Sequence, residues 1–195
     1  MDDVIALSEL NQKRARQIIE ETGIVDIWHS IGAEINLVGS LKTGLLMKKR
    51  DIDFHIYSDP LKIEDSFSAI SRLGKNSRIK KIMYGNLLDT GEECLEWHAW
   101  YLDSDENEWQ IDMIHMPKGS PYAGYFERVA DRILALLDDE KKYAILKIKN
   151  DIPDEKSVMG IEIYQAVIRD GVRNYADFMQ WRKANPNNGI IEWMP

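Results

Sequence analysis

The sequence predicts an α+β fold in which a sheet-forming first part precedes a C-terminal helical region. Before Lys118, segments with helical spacing of apolar residues are mixed with segments that alternate between polar and apolar residues, as half-buried strands do. After the turn-rich segment 117–121, the spacing is helical only. We therefore expect a domain over 1–118 and a helical region over 119–195, with enough hydrophobic residues, 44%, for a sizeable core.

The first elements are identified by apolar spacing and by the residues that end them. Residues 7–22 place Leu, Ala and Ile at helical intervals, and Gly23 ends this helix. A second, short helical segment is expected over 27–31. The apolar run 35–38 predicts a strand, and residues 51–57 alternate as in a strand with one polar face and one apolar face.

One helix and three strands complete the predicted sheet domain. Apolar residues at helical spacing predict a helix over 61–73. Strands are expected over 78–84, 94–102 and 109–116, and the turn-rich residues 103–107 make the last two strands a hairpin.

The C-terminal region is predicted to contain helices only. An amphipathic stripe runs over residues 126–148 and is interrupted near Asp138. A further helix is expected over 155–170. The last helix is expected to begin near Asn174 and to finish before Pro186.

Charge and cysteine content disfavour several functional classes. The 25 basic and 33 acidic residues give a net charge of -8, and residues 89–112 include nine acidic residues and no Lys or Arg. Because this segment would repel a phosphate backbone, nucleic acid is not the expected partner. The single cysteine, Cys94, is expected to be a buried or inert thiol. The acidic N-terminus and the absence of a long apolar run predict a cytoplasmic protein with no membrane partner.

Acidic residues on two of the predicted strands suggest a metal site. Asp51 and Asp53 lie on one strand face, about 7 Å apart along the backbone. Such carboxylate pairs hold Mg²⁺ together with substrate phosphates and water. Asp112 is a further acid set between apolar strand residues, and it would complete a two-ion site or take the proton of an attacking hydroxyl.

A Gly-Ser pair, Gly39 and Ser40, lies between a predicted strand and residues 41–47, which fit a short helix. Glycine permits close backbone approach, and amides at a helix start, with the Ser40 hydroxyl, would receive phosphate oxygens. The segment 41–50 carries four basic residues and no acidic one, namely Lys42, Lys48, Lys49 and Arg50. These are interpreted either as a solvated face or as cations that neutralise a triphosphate.

The order and spacing of these features resemble the signature of the polymerase-β-like nucleotidyltransferase superfamily. The matching motifs are Val38-Gly39-Ser40, then Asp51-Ile52-Asp53-Phe54 after ten intervening residues, and later Ile111-Asp112-Met113. The resemblance covers residues 30–116. Within the superfamily, the run 50–53 and the small helical tail look most similar to the small antibiotic nucleotidyltransferases of the lincosamide and aminoglycoside types.

The resemblance implies a nucleotidyltransferase-like mixed sheet flanked by helices, with Gly39 and Ser40 gripping the nucleotide phosphates. Asp51 and Asp53 would be metal ligands, and Asp112 the third catalytic acid and metal ligand. The reaction would be attack by an acceptor hydroxyl on the α-phosphorus of a nucleoside triphosphate, with one or two Mg²⁺ ions and release of pyrophosphate. The expected donor is ATP, and the expected acceptor is a small hydroxylated molecule.

Other functions stay open at this point. A domain of this fold without catalysis would be a nucleotide-binding or protein-interaction module, although the presence of all three acids argues against it. A minimal nucleotidyltransferase would modify a partner protein. A metal-dependent phosphoesterase would use the same acids, although the histidine-rich ligand set that such enzymes often use is missing.

Histidines and aromatic residues near the acids are predicted to be structural. His55 shares the strand face of the acid pair and is expected to be a surface or hydrogen-bonded residue, with an approach to the bound substrate as the alternative. His98 and His115 lack a partner at metal-ligand spacing. The predicted hairpin concentrates aromatic residues, Trp97, Trp100, Tyr101 and Trp109. Packing is their expected role, and stacking on a base or an acceptor ring is the alternative.

Overall fold

Five strands form one mixed sheet in the computed structural model of the chain, which describes residues 2–186 and 191–195. The strands are β1 (Glu34–Val38), β2 (Asp51–Ser58), β3 (Ile79–Leu87), β4 (Cys94–Leu102) and β5 (Glu108–Pro117). Their order across the sheet is β1-β2-β5-β4-β3. Only β2 and β5 are parallel neighbours, and the other adjacent pairs are antiparallel. The predicted α+β class, the mixed sheet and the β4–β5 hairpin are confirmed.

Helices precede, interrupt and follow the sheet. They are α1 (Asp2–Thr22), α2 (Ile24–His29), α3 (Gly39–Lys42), α4 (Ile63–Leu73), α5 (Tyr125–Leu136), α6 (Asp139–Asp151), α7 (Gly160–Tyr164) and α8 (Tyr175–Ala184). A π-helical turn over Gln165–Arg169 continues α7. The side chains of Asp138 and Asn174 accept backbone N–H groups and so begin α6 and α8. The interruption near Asp138 and the last helix are thus confirmed.

Two predicted helices have other bounds in the structure. The short helix expected over 41–47 is α3, which ends at Lys42, because Gly44 has a left-handed φ of 72°. The helix expected over 155–170 begins at Gly160. Residues 155–159 are not helical, and the Lys49 ammonium donates to the Val158 carbonyl in this segment.

The apolar residues form two main clusters. The first joins one face of the sheet to α1, α2 and α4 and includes Trp28, Ile52 and Ile111. The second is built from α5 to α8 and also contains Leu45 and Met47. The residues after α3 therefore pack directly into the helical region. The helices of the described ranges are all too short or too polar to cross a bilayer.

Burial along β2 alternates in the predicted way near its start. Ile52 and Phe54 are buried, whereas Asp51 and Asp53 are partly exposed on the other face. Cys94 is buried, and burial raises the pKa of its thiol to about 11. The prediction of a buried thiol is confirmed.

Candidate active site

The acids predicted from separate motifs come together because β2 and β5 are parallel neighbours. Asp53 lies directly opposite Asp112, and Asp51 lies opposite Gln110. Residues paired in this way project from the same face of a sheet. On the other side of β2, Val38 pairs with Asp53, so the Gly-Ser pair starts beside this acid.

Gly39 fits against Asp53 so closely that no other residue has room there. Its φ is 67°, which is the left-handed region that favours glycine. A Cβ atom at this position would lie 2.1 Å from the Asp53 Oδ2 atom and 2.8 Å from its Cγ atom. The predicted phosphate loop and the predicted metal ligand are therefore in direct contact.

The helical region contributes a lysine and a tyrosine to the Gly-Ser loop. The Lys149 ammonium donates to Ser40 Oγ at 2.9 Å, to the Leu45 carbonyl at 2.8 Å and to the Tyr164 hydroxyl at 2.9 Å. Ser40 Oγ and the Tyr164 hydroxyl are themselves 3.1 Å apart. The sequence analysis missed both residues, because Lys149 lies within an ordinary amphipathic helix and no motif marks it.

Two of the basic residues after α3 bind the loop that precedes α7. Lys48 donates to the Ile152 carbonyl at 2.7 Å and pairs with Asp154 at 2.7 Å. Lys49 donates to the Val158 carbonyl at 3.5 Å. These lysines therefore bind the loop before α7, and they also line the cavity, so their role toward a triphosphate stays a prediction.

The surroundings of Asp51 and Asp53 disfavour the ionised form of both carboxyl groups. Burial raises the pKa of Asp53 well above its ordinary value, and the neighbouring Asp51 and Asp112 raise it further, while Lys149 lowers it. Burial also raises the pKa of Asp51, against the effects of Lys149 and Lys49. Like charges at short range disfavour ionisation, so a bound cation would stabilise both carboxylates.

Asp112 is held by two side chains. Gln110 Nε2 donates to Asp112 Oδ1 at 2.8 Å, and His98 Nδ1 lies 2.6 Å from the same oxygen. His98 faces Asp112 because the two residues are paired between β4 and β5. His98 therefore contacts a candidate site residue, and its structural role stays a prediction.

The other two histidines differ in their surroundings. His55 is buried, and its Nδ1 atom has no hydrogen-bond partner within the described part of the chain; Glu127 Oε2 is 3.9 Å away. The expected surface or hydrogen-bonded role is therefore wrong for this atom, because α5 covers this part of β2. His115 is buried between the hydroxyls of Ser58 and Ser66, and burial lowers its pKa to about 4. Its structural role is confirmed.

A cavity of about 980 Å³ opens in front of the Gly-Ser loop and the pair of Asp51 and Asp53, and Asp112 is not part of its lining. Its polar lining includes Ser40, Asp51, Asp53 and Lys149, and its apolar lining includes side chains of α5 and Trp193. The cavity therefore lies between the sheet and the helical region. It is large enough for a ligand of drug or cofactor size.

The side chains of Asp51 and Asp53 would need further ligands from outside the protein to complete the shell of a magnesium ion. Within residues 2–186 and 191–195, no group of three or more His, Cys, Asp or Glu side chains is arranged so that it could hold a metal. Magnesium commonly takes only one or two protein carboxylates and completes its shell with phosphate oxygens and water. The pair of Asp51 and Asp53 beside a phosphate loop fits that mode of binding.

Comparisons with known proteins bear on the fold. No protein-family model and no curated protein matches the sequence. A solved cytoplasmic RNA terminal U-transferase is similar with a TM-score of 0.53 and 16% identity, over 80% of this chain and 44% of that chain. A structure of Cid1, described by its RNA terminal uridylyl transferase activity, gives 0.54 and 15% over 80% and 46%. The Cid1 poly(U) polymerase with Mg and 3'-dATP bound gives 0.51 and 18% over 71% and 40%.

The chain spans less than half the length of these solved chains. At these identities the likeness concerns the fold, and the finer resemblance to antibiotic nucleotidyltransferases stays a prediction. The chain therefore has a fold similar to that of these RNA terminal U-transferases and of the Cid1 poly(U) polymerase.

Proposed function

We propose that the protein is a metal-dependent nucleotidyltransferase that moves a nucleoside monophosphate from a triphosphate to an acceptor hydroxyl. The observation that carries this proposal is the meeting of the Gly39 loop, Asp53 and Asp112 on one sheet face. A Gly-Ser turn and acids with unrelated roles would not be expected to lie side by side on one face of the sheet. Their convergence on one sheet face, with Gly39 and Asp53 lining a large cavity, supports a catalytic role.

The phosphates would bind to Gly39, Ser40 and Lys149. The Lys149 ammonium already points at Ser40 Oγ, and phosphate oxygens are stronger acceptors for it than a hydroxyl or a carbonyl. Tyr164 lies against the same ammonium and limits where it can move. The three groups thus hold the end of the nucleotide that leaves as pyrophosphate.

Asp51 and Asp53 would hold magnesium, which when bound supplies charge stabilisation on the attacking and leaving oxygens. The acceptor oxygen forms a bond to the α-phosphorus, and the bond from this phosphorus to the β-phosphate oxygen breaks. Pyrophosphate leaves with that electron pair. Asp112, as the third acid, takes the hydroxyl proton or binds metal, and His98 with Gln110 fixes its carboxylate.

The donor and the acceptor are finer points of the proposal. ATP is the donor we expect, and the acidic segment 89–112 favours a small hydroxylated acceptor or a site on a partner protein. The similar solved enzymes are named for RNA terminal U-transfer, which brings an RNA end into consideration as an acceptor.

The test is incubation of the chain with Mg²⁺ and each nucleoside triphosphate labelled at the α-phosphate. Pyrophosphate release with label on an acceptor supports transfer. Binding without turnover would indicate an inert module, and release of inorganic phosphate would indicate a phosphoesterase. Asp51→Asn and Asp53→Asn should each abolish transfer, whereas Asp26→Asn, an exposed acid on α2, serves as the matched control.

A further inference from the structure

A row of three polar side chains on β2 divides the cavity into two ends. Alternate residues of a strand face the same way and lie about 7 Å apart, and Asp51, Asp53 and His55 all line the cavity. The antiparallel strand β1 places Val38 beside Asp53 and Asn36 beside His55. The Gly-Ser loop therefore leaves β1 in the direction of Asp51, and His55 lies at the opposite end of the row.

The leaving and attacking groups of the transfer would use these opposite ends. This step rests on the proposed function, in which Ser40 and Lys149 hold the leaving pyrophosphate. In phosphoryl transfer the attacking and leaving oxygens lie roughly in line on opposite sides of the phosphorus. The attacking hydroxyl then comes from the side of His55. Since Asp112 does not line the cavity, a molecule inside the cavity meets His55 instead.

We propose that this second end of the cavity binds the acceptor, and that the acceptor is a small uncharged alcohol with an apolar or aromatic body. The wall beside His55 is formed by apolar side chains of α5, among them Phe126 and Val129, and by Trp193. The rings of His55 and Phe126 meet edge-on, with their centroids 5.1 Å apart. The wall would hold the body of the alcohol by removing apolar surface from water, and His55 would hold its hydroxyl.

The C-terminal residues 191–195 place Trp193 next to α5. Glu192 accepts a hydrogen bond from the Tyr122 hydroxyl at 3.2 Å, and Arg132 donates to the Pro195 carbonyl at 3.0 Å. Arg132 belongs to α5 and Tyr122 lies just before this helix, so the segment follows α5. Trp193 is only partly buried, which leaves part of its ring for contact with a ligand.

Glu127 determines which nitrogen of His55 is available to a ligand. The Nδ1 atom of His55 and the Oε2 atom of Glu127 lie 3.9 Å apart, and both are buried without a hydrogen-bond partner in the described ranges. The other Glu127 oxygen accepts from the Tyr57 hydroxyl at 2.6 Å, which holds this carboxylate in place. A carboxylate beside Nδ1 favours the tautomer with its proton on Nδ1, so Nε2 is left to accept a hydrogen bond from the alcohol. Glu127 and Tyr57 are therefore positioning residues.

The charges of the lining favour an uncharged acceptor. Its three acids already have roles, because Asp51 and Asp53 would hold the metal and Asp154 pairs with Lys48 at 2.7 Å. The basic residues at 48–50 precede Asp51 and belong to the phosphate end. Among the described lining residues, no acid is therefore left for the ammonium groups of an aminoglycoside.

The test compares three acceptors in the labelling assay, namely 2-phenylethanol, glycerol and the aminoglycoside kanamycin. Trp193→Ala removes part of the apolar wall, and Met194→Ala, at the exposed next residue, is its matched control. His55→Phe removes the ring nitrogens and keeps an aromatic ring, and Glu127→Gln keeps the shape of the positioning residue. Triphosphate affinity is measured separately for each variant.

We expect label on 2-phenylethanol, a higher KM for glycerol and no label on kanamycin. Trp193→Ala should raise the KM for 2-phenylethanol by about 10-fold through lost apolar contact, with little change for glycerol or in Met194→Ala. His55→Phe should raise the KM for both alcohols by about 2- to 12-fold, the factor for one hydrogen bond. Glu127→Gln should also raise this KM more than it lowers kcat, whereas a purely structural defect would lower kcat alone. Triphosphate affinity should stay unchanged in every variant.

Several results would overturn the inference while leaving the proposed function intact. These are label on kanamycin, pyrophosphate release without label on either alcohol, and a KM for 2-phenylethanol that neither Trp193→Ala nor His55→Phe changes. Weaker triphosphate affinity in Trp193→Ala would indicate that this end of the cavity holds the nucleoside, which also contradicts the inference. Absence of pyrophosphate release with every acceptor and every triphosphate would instead contradict the proposed function itself.

Discussion

Replacement of Gly39 by alanine tests the contact between the phosphate loop and the acid pair. The added Cβ would lie 2.1 Å from Asp53 Oδ2 and 2.8 Å from Asp53 Cγ, whereas ordinary contact begins at 3.4 Å. Because the Cγ atom is also too close, rotation of the carboxylate alone does not relieve the overlap. The loop and the Asp53 side chain must separate by about 1.3 Å at the closest pair of atoms.

Gly44 provides the matched control for this change. Its φ is 72°, close to the 67° of Gly39, but the atom nearest to an added Cβ is Gln12 Oε1 at 3.7 Å. Gly44→Ala therefore has the left-handed strain of about 1–2 kcal/mol and no collision. Gly39→Ala has the same strain and in addition displaces a candidate metal ligand. The difference between the two variants isolates the displacement.

The measurements are the free energy of unfolding in denaturant and the rate of transfer in the labelling assay. A misplacement of about 1 Å near the reacting atoms costs on the order of 100-fold in rate. We expect Gly39→Ala to lose about that factor relative to Gly44→Ala while both variants remain folded. Equal transfer rates in the two variants would refute the idea that Gly39 positions Asp53 for catalysis.

Three further predictions concern stability and nucleotide binding. In metal-free buffer at pH 7, Asp53→Asn should raise the free energy of unfolding, because the raised pKa shows that the fold disfavours ionised Asp53. This increase in stability, measured by denaturation, should become smaller as the pH falls toward 4. The free energy of unfolding should fall by up to about 3 kcal/mol between pH 6.5 and pH 4, because His115 is protonated in the unfolded chain over this range and stays neutral in the fold. Denaturation of His115→Gln at the same pH values should show a smaller decrease. Lys149→Met should weaken triphosphate binding by about 10- to 150-fold in a titration, whereas Lys147→Met, which removes a cation paired with Asp151 on the same helix, should not.

Local sequence patterns were sufficient to predict most of the sheet and the acids on it. The alternation over 51–57 and the turn at 103–107 fix which residues face together, and β4 matches its predicted bounds of 94–102. The segment expected as a strand over 78–84 extends to Leu87 because its last residues pair with β4. The period of two in a strand makes such predictions possible from neighbouring residues alone.

The site residues that the sequence did not predict are placed by contacts between distant parts of the chain. Lys149 acts on the Gly-Ser loop from a helix 109 residues later in the chain. Its neighbours in sequence are those of any half-buried helical lysine, so nothing local marks it. The contact of His98 with Asp112 likewise depends on the register between β4 and β5, which the local sequence does not fix.

Lys149 links the electrostatic strain of the acids to the way in which a ligand would enter. Its ammonium lowers the pKa of Asp51 more than any other cation does, and it also donates to Ser40. If a phosphate at Ser40 shared this ammonium, Asp51 and Asp53 would keep less of its positive charge. A magnesium ion held by the two carboxylates would then supply counter-charge, with phosphate oxygens completing its shell. On the proposed function, Lys149 therefore couples the phosphate site at Ser40 to the cation site at Asp51 and Asp53.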